Sequence, residues 1–154
     1  MRLISLSEFI APADFIAVMQ ESFDRGQDVT FTPSGNSMLP MLDGKKDQVT
    51  LSKKPESLKK YDIAFYIRRR TNQLVLHRMI GFSKSGEYIF CGDNQYDYEH
   101  GVGDDDILAL MTAFTHNGKE VSVTDFSYRF YVRRLMFKKR IRRFASKIYH
   151  IAFK

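Results

Sequence analysis

The centre of the chain contains Ile63-Ala64-Phe65-Tyr66-Ile67-Arg68 and, a few residues on, Leu74-Val75-Leu76-His77-Arg78-Met79-Ile80-Gly81-Phe82. Both runs are rich in the β-branched, aromatic and other apolar side chains that strands favour. Thr71-Asn72, which lies between them, supplies the polar residues of a tight turn. We therefore expect a pair of antiparallel strands over residues 63–68 and 74–82.

Similar short runs surround this pair. We expect further strands at Asp28–Pro33, Gln48–Ser52, Tyr88–Cys91, Ile107–Thr115 and Glu120–Thr124. Asn117-Gly118, between the last two, is a strong signal for a two-residue hairpin turn. The middle of the chain is thus predicted to be a series of short strands joined by tight turns.

A helical pattern lies at each end of the chain. Between Ser7 and Arg25 the apolar residues fall near one helical face, with Ser7 as the N-cap and Gly26 as the stop: Phe9, Phe15, Ile16, Met19 and Phe23. The predicted fold class is mainly β with flanking helices. We expect one domain over residues 1–125 and a basic C-terminal helix over residues 126–154.

Length and composition narrow the class of protein. A chain of 154 residues with 44% hydrophobic content suffices for one globular domain. Its single cysteine, Cys91, excludes an internal disulfide and a cysteine-based zinc site. The longest apolar runs, such as Ile107–Met111, are far shorter than the about 20 residues of a membrane-spanning helix. The start, Met1–Ser7, lacks the pattern of a secretory signal, so we expect a cytoplasmic location.

The first candidate site is the segment Ser34-Gly35-Asn36-Ser37-Met38-Leu39-Pro40. Gly35 allows a backbone conformation that other residues avoid, and proline stiffens the flanks. Such a turn can expose the Ser37 hydroxyl and aim backbone N–H groups at one point, as in an oxyanion hole. Ser34 and Asn36 could add side-chain donors. An ordinary Gly/Ser/Pro loop would contain the same residues, so this segment alone does not show that Ser37 is a nucleophile.

A serine hydroxyl needs a base to take its proton, and His77 is the natural candidate. It interrupts an otherwise apolar strand, and its imidazole can accept and return a proton near neutral pH. His100, His116 and His150 lie in predicted loops or in the basic tail. A partly buried histidine satisfied by the backbone is the competing interpretation of His77.

A third group would hold the imidazole. Asp93 and Asp97 both follow Gly92 and both qualify, although Gly-Asp-Asn is also ordinary turn chemistry. The run Asp104-Asp105-Asp106 has no histidine or glutamate spaced with it as a ligand set. We therefore predict no metal site and no cofactor.

Taken together, these segments resemble the superfamily of type I signal peptidases and LexA-type self-cleaving repressor domains, over roughly residues 29–115. Residues 35–40 look like the nucleophile box, and residues 61–66 like the strand that usually begins with Gly-Asp. Residues 77–81 look like the base box and residues 92–94 like the last box. The resemblance implies a strongly bent, mostly antiparallel β-structure.

The resemblance also implies roles. Ser37 would be the nucleophile and His77 the base, as in the endoplasmic-reticulum and sporulation-type signal peptidases rather than the lysine-dependent members. Asp97 would orient His77, with Asp93 as the alternative or as a support of the architecture. The supporting and substrate-binding residues would be Ser34, Asn36, Met38, Pro40, Asp62 and Arg78.

The chain departs from the family at several points. Tyr61 stands where glycine usually precedes Asp62, and Gly35 stands where some members carry a hydroxyl donor, which leaves that role to the backbone or to Asn36. The membrane anchor of signal peptidases and the DNA-binding helices of the repressors have no counterpart. No Ala-Gly pair occurs in the sequence, so repressor-type self-cleavage is not expected.

The tail from Phe126 to Lys154 holds ten Lys or Arg and no acid, whereas the rest of the chain holds 14 basic and 18 acidic residues. This asymmetry favours a partner: an anionic membrane surface at the inner face or an acidic protein. A terminal helix packed on the body with a solvated basic face is the alternative. Nucleic acid is the least favoured partner, because no reading module accompanies the charge.

The leading functional hypothesis is a serine endopeptidase that cleaves an extended peptide or leader segment through an acyl-enzyme. The alternative is a non-catalytic peptide-binding module of the same fold, docked by the basic tail. The two hypotheses are distinguished by whether Ser37, His77 and a carboxylate lie close together in the structure.

Overall fold

A computed structural model describes the backbone of residues 2–3 and 11–152 and the side chains of residues 11–145. The chain divides into two compact units, Met1–Ser122 and Val123–Lys154. The first unit holds an α-helix and a β-sheet, and the second consists mainly of one long helix.

The sheet contains nine strands within the described residues: β1 Arg2–Leu3, β2 Val29–Phe31, β3 Val49–Lys53, β4 Ile63–Arg68, β5 Gln73–Phe82, β6 Tyr88–Cys91, β7 Glu99–Val102, β8 Ile107–His116 and β9 Lys119–Ser122. Their order is β1-β2-β3-β8-β4-β5-β6-β7, and β9 pairs with β8. The β1–β2 pair is parallel, and every other pair is antiparallel. The first unit is thus mainly antiparallel β, as the sequence predicted.

Most predicted strands lie within a residue or two of the observed ones. Asn117 and Gly118 both have positive φ, as a two-residue hairpin turn of the predicted kind requires. Strand β7 was not predicted, because Glu99-His100-Gly101-Val102 lacks an alternating apolar pattern. This segment is a strand because it pairs with β6, and the local sequence does not indicate that pairing.

Helix α1 spans Pro12–Asp24 and buries Phe15, Met19 and Phe23. Gly26, with φ of 70°, ends it by donating its N–H to the Phe23 carbonyl. The predicted cap Ser7 and the face residue Phe9 lie outside the described residues.

An aromatic cluster joins α1 to the sheet. The ring of Phe15 lies 5.3 Å from Phe31 on β2 and 5.7 Å from Phe65 on β4, in edge-to-face geometry. A second core lies further along the sheet, where Tyr66 stacks on Phe90 at 4.5 Å between ring centroids. Edge-to-face and offset aromatic pairs add stability beyond the apolar area they bury, so both clusters stiffen the strands that carry the site.

Register shifts interrupt the ladders of the central strands. One lies between Phe65 and Tyr66 of β4 in its pairing with β8, and another between Met79 and Gly81 of β5 in its pairing with β6. Such bulges bend a strand and increase its twist. These two register shifts are therefore expected to bend β4 and β5.

The second unit contains helix α2, Phe126–Ala152. It follows the strands where the sequence predicts a basic helix. No helix in the described part of the chain is both long enough and apolar enough to cross a bilayer.

Candidate active site

Ser37 lies in the turn that follows β2. Gly35 has φ of 91°, a left-handed conformation that residues with a Cβ rarely adopt. Gly44 packs against this turn so closely that a Cβ there would lie 2.3 Å from the Gly35 carbonyl oxygen. The two glycines let the loop fold back on itself and present Ser37, which is half-buried.

A second turn, Gly92-Asp93-Asn94, holds Ser37 from the other side. The Asn94 N–H donates to the Ser37 carbonyl at 2.8 Å, and its side-chain amide donates to the Asn36 carbonyl at 3.2 Å. Gly92 comes so near that a Cβ would lie 2.6 Å from the Ser37 carbonyl oxygen. The Gly-Asp-Asn segment thus fixes the backbone of the serine turn.

The close approach at Gly92 gives a test of this arrangement. We expect Gly92→Ala to lower catalytic turnover by about 100-fold, because the new methyl group must displace the Ser37 backbone by the order of 1 Å. Gly81→Ala is the matched control, since a Cβ there meets nothing within 4 Å and the residue has no positive φ. Equal turnover by the two variants would contradict a positioning role for the Gly92 turn.

Asp93 is anchored by a buried ion pair. The Arg78 guanidinium donates two hydrogen bonds to its carboxylate, Nε to Oδ1 at 2.8 Å and Nη2 to Oδ2 at 2.7 Å. Both side chains are fully buried. Nη1 of Arg78 also donates to the Tyr61 carbonyl at 3.0 Å. The pair therefore ties β5 to the turn that holds Ser37.

Tyr61 and Asp62 brace the same region. Tyr61 has φ of 79°, a conformation that glycine adopts without strain and that other residues rarely adopt. The Lys59 N–H donates to the Asp62 carboxylate at 2.8 Å. Partial burial raises the pKa of Asp62 above its usual range, against the opposing effects of that bond and of nearby Lys59 and Arg78.

His77 lies on β5 with its side chain buried, and its contacts come from β4 and β7. Its Nδ1 is 3.2 Å from the Tyr66 hydroxyl and 3.6 Å from Glu99 Oε2. The Tyr66 hydroxyl donates to the same Glu99 oxygen at 2.7 Å. Since that proton is committed to a carboxylate, the tyrosine oxygen is left to accept the proton on Nδ1. This geometry favours the tautomer in which His77 Nε2 carries a lone pair.

Arg68 completes this network. Its Nε and Nη2 donate to the two oxygens of Glu99 at 2.5 and 2.6 Å. Burial acts to raise the pKa of Glu99, but the hydrogen bonds from Arg68 and Tyr66 outweigh it and leave the pKa below its usual value. Glu99 is therefore an anion at neutral pH.

Burial also sets the protonation of His77. It lowers the pKa of the imidazole to about 4, although the Glu99 carboxylate pulls the other way. Burial and the Glu99 anion both raise the pKa of the Tyr66 hydroxyl, so it keeps its proton. At neutral pH the network holds a neutral histidine, a neutral tyrosine and an ionised glutamate.

Ser37 and His77 line one cleft of about 310 Å³. Its wall is about evenly polar and apolar and comes from β2, β4, β5, the loop that contains the serine turn and the segment after Gly92: Phe31, Pro33, Ser34, Gly35, Met38, Leu42, Gly44, Phe65, Arg68, Leu74, Val75, Leu76 and Gln95. Within the described chain, the backbone N–H groups of Ser37 and Met38 donate to no carbonyl. These two N–H groups are the candidate donors to an oxyanion at Ser37.

The carboxylate that contacts the His77 ring is that of Glu99, which was not predicted. Asp97 is exposed and lines a separate groove of about 440 Å³, together with Arg68, Gln95, Tyr96, Tyr98 and Glu99. Asp93 is bound to Arg78, and its charge acts on the pKa of His77 less strongly than that of Glu99. The structure places Asp93 in the architectural position that the sequence offered as its alternative.

The other predicted residues divide into two groups. Ser34 and Met38 line the cleft, and Arg78 and Asp62 support its walls as described. Asn36 and Pro40 are exposed and do not line the cleft. The Asn36 backbone carbonyl, rather than its side chain, makes the contact that matters, by accepting the bond from Asn94.

Sequence reasoning missed Tyr66, Arg68 and Glu99. Tyr66 and Arg68 lie two residues apart on β4 and therefore share one face of the sheet. Tyr66 pairs with Val75 of β5, and Val75 shares its face with His77, so all these side chains lie on the same face. Polar groups alternating along a buried strand were a usable signal for these two. Glu99 had no such signal, because its strand was not predicted.

The chain gives no match to protein-family models, to curated protein sequences or to solved structures. A function for this chain is therefore inferred from the geometry of this cleft.

Proposed function

We propose that this protein is a serine endopeptidase that uses Ser37 as its nucleophile and His77 as its general base. The observation that carries the proposal is the His77–Tyr66–Glu99 network, because it favours the tautomer with a lone pair on Nε2 in a neutral histidine that lines the same cleft as Ser37. A base held in one tautomer by a second group is the arrangement that activates a serine hydroxyl.

The reaction would proceed in two steps. Ser37 Oγ attacks the peptide carbonyl carbon while its proton passes to His77 Nε2, and the N–H groups of Ser37 and Met38 stabilise the oxyanion. The protonated imidazole gives that proton to the leaving amine, which releases an acyl-enzyme. Water then attacks the ester carbonyl while His77 takes its proton, and the acyl–Oγ bond breaks as His77 returns the proton to Ser37 Oγ and the carboxylic acid product leaves. Glu99 and Tyr66 act as positioning residues for the ring and stabilise the transient imidazolium.

An open strand edge beside the base suits an extended peptide. Strand β6 pairs with β5 only from Arg78 onward, so in the described structure residues Gln73–His77 have a strand partner on the β4 side alone. Leu74, Val75 and Leu76 of this segment line the cleft. An extended substrate could add to this edge through main-chain hydrogen bonds.

The proposal is tested by digesting a diverse peptide library with the wild type and with Ser37→Ala, followed by mass spectrometry. We expect cuts that appear with the wild type and are absent with the variant. Cuts that persist with Ser37→Ala would reject Ser37 as the nucleophile.

A peptide receptor is the second candidate, and the open edge of β5 favours it equally. Library peptides that bind the wild type and Ser37→Ala alike, with no cleavage by either, would replace the peptidase proposal with this one.

The acidic limb of the pH profile tests the role of His77. Because burial lowers its pKa to about 4, the base stays unprotonated well below the ordinary value of about 6.5. We expect kcat/KM for a cleaved peptide to fall only as the pH drops through about 4, since protonation of Nε2 removes the base. An acidic limb near 6.5 would contradict a buried, neutral base.

Folding stability must be followed in the same experiment. Between pH 6.5 and 4 the unfolded chain takes up a proton at His77 that the folded chain does not, so the free energy of unfolding declines over that window. Thermal unfolding at each pH distinguishes loss of the base from loss of the fold.

A further inference from the structure

Helix α2 carries a line of exposed large apolar residues: Phe126, Phe130, Phe137, Ile141 and Phe144. Each is more than half exposed. At about 100° per residue their positions fall within about 60° of one another around the helix axis. They form a stripe about 27 Å long, at about 1.5 Å per residue. Isolated exposed apolar residues are common, but five on one line are not.

Basic residues border this stripe on both sides. Arg133 and Arg140 lie within about 40° of one edge, and Arg134 and Lys138 lie on the other, by the same helical geometry. All four side chains are exposed. The segment 126–154 contains no Asp or Glu. The helix is therefore an apolar line flanked by cations, with no acid to offset them.

We propose that α2 binds the surface of an anionic lipid bilayer, with the apolar stripe at the boundary of headgroups and acyl chains. Arginine and lysine on both flanks can lay their apolar stems along the interface and keep their charged ends at the lipid phosphates. Binding to nucleic acid would use the cations but would leave the aromatic line without a role. The lipid surface uses both features.

The test is co-sedimentation of the full-length protein with vesicles of phosphatidylcholine, alone or with about one third phosphatidylglycerol. We expect the protein to sediment with the anionic vesicles, to remain largely in solution with the neutral ones, and to be released as ionic strength rises from about 0.1 M to about 1 M. Equal sedimentation with both kinds of vesicle would overturn the proposal.

A stripe variant separates insertion from charge alone. Phe137→Ser, Ile141→Ser and Phe144→Ser together should weaken binding to anionic vesicles by at least about tenfold, because only the apolar contact is removed. Phe82→Ser, which removes a phenylalanine that is 56% exposed on β5, is the matched control and should bind as the wild type does. Unchanged binding by the stripe variant would overturn the proposal.

Two further arms identify other partners. Duplex DNA or a polyglutamate peptide that removes the wild type from vesicles, and that binds the stripe variant equally well, would overturn the lipid assignment in favour of an anionic polymer. Ser37→Ala should bind vesicles as the wild type does, so the result is independent of the proposed peptidase activity.

Discussion

Replacing Ser37 by alanine is expected to lower kcat by at least about 10⁴-fold on the best peptide from the library, with the fold unchanged. The expected loss is large because the Ser37 hydroxyl is the group that forms the acyl-enzyme in the proposed mechanism. The fold should persist, since the contacts that fix this turn come from backbone atoms: the Ser37 and Asn36 carbonyls accept the bonds from Asn94.

His77→Gln should lower kcat by a similar factor. Glutamine can still bond the Tyr66 hydroxyl, but it cannot take the proton of Ser37. The double variant Ser37→Ala, His77→Gln should be no worse than either single one, because residues that act as a unit have non-additive effects. Rates come from product release followed by mass spectrometry, with thermal unfolding as the check on folding.

Ser57→Ala is the matched control, since it removes a hydroxyl from an exposed loop residue. It should match the wild type in rate. A Ser37→Ala variant that keeps more than a tenth of the wild-type rate would reject the proposed mechanism.

Replacing Asp93 by alanine is expected to cost about 3–5 kcal/mol of the free energy of unfolding. The substitution leaves the Arg78 guanidinium fully buried without its carboxylate. A buried charge without compensation is far more costly than the same charge in water. Urea unfolding monitored by circular dichroism gives the difference directly.

Two controls define this result. Lys46→Ala breaks an exposed ion pair with Asp43 and should cost less than about 1 kcal/mol. Replacing both partners, Arg78→Met with Asp93→Leu, should recover much of the loss, because an apolar pair leaves no buried charge. An Asp93→Ala variant within about 1 kcal/mol of the wild type would contradict the ion pair as the anchor of the site.

The adjacent residues His77 and Arg78 of β5 make contacts in different parts of the candidate site. Successive side chains of a strand point to opposite faces. His77 contacts Tyr66, whereas Arg78 binds Asp93 in the turn that holds Ser37. One short segment of β5 therefore carries the proposed base and the arginine that supports the Ser37 turn.

The local sequence was sufficient to predict the strands and turns whose conformation depends on neighbouring residues. The short apolar runs predicted β4, β5 and β6, and Asn117-Gly118 predicted the hairpin between β8 and β9, because strand preference and turn conformation depend on near neighbours. The glycine-containing turns at Ser37 and Gly92 could be recognised for the same reason.

Long-range pairing decided the remainder. Which carboxylate lies beside His77 depends on where β7 pairs, and that pairing brings Glu99 to Tyr66 and Arg68 over more than 30 residues of chain. Asp93, which the sequence offered as the alternative to Asp97, is instead bound to Arg78 in a buried ion pair. The candidates Ser37 and His77 and the order of the turns could thus be named from the chain itself. Their partners, and the burial that lowers the pKa of His77, exist only once distant strands come into contact.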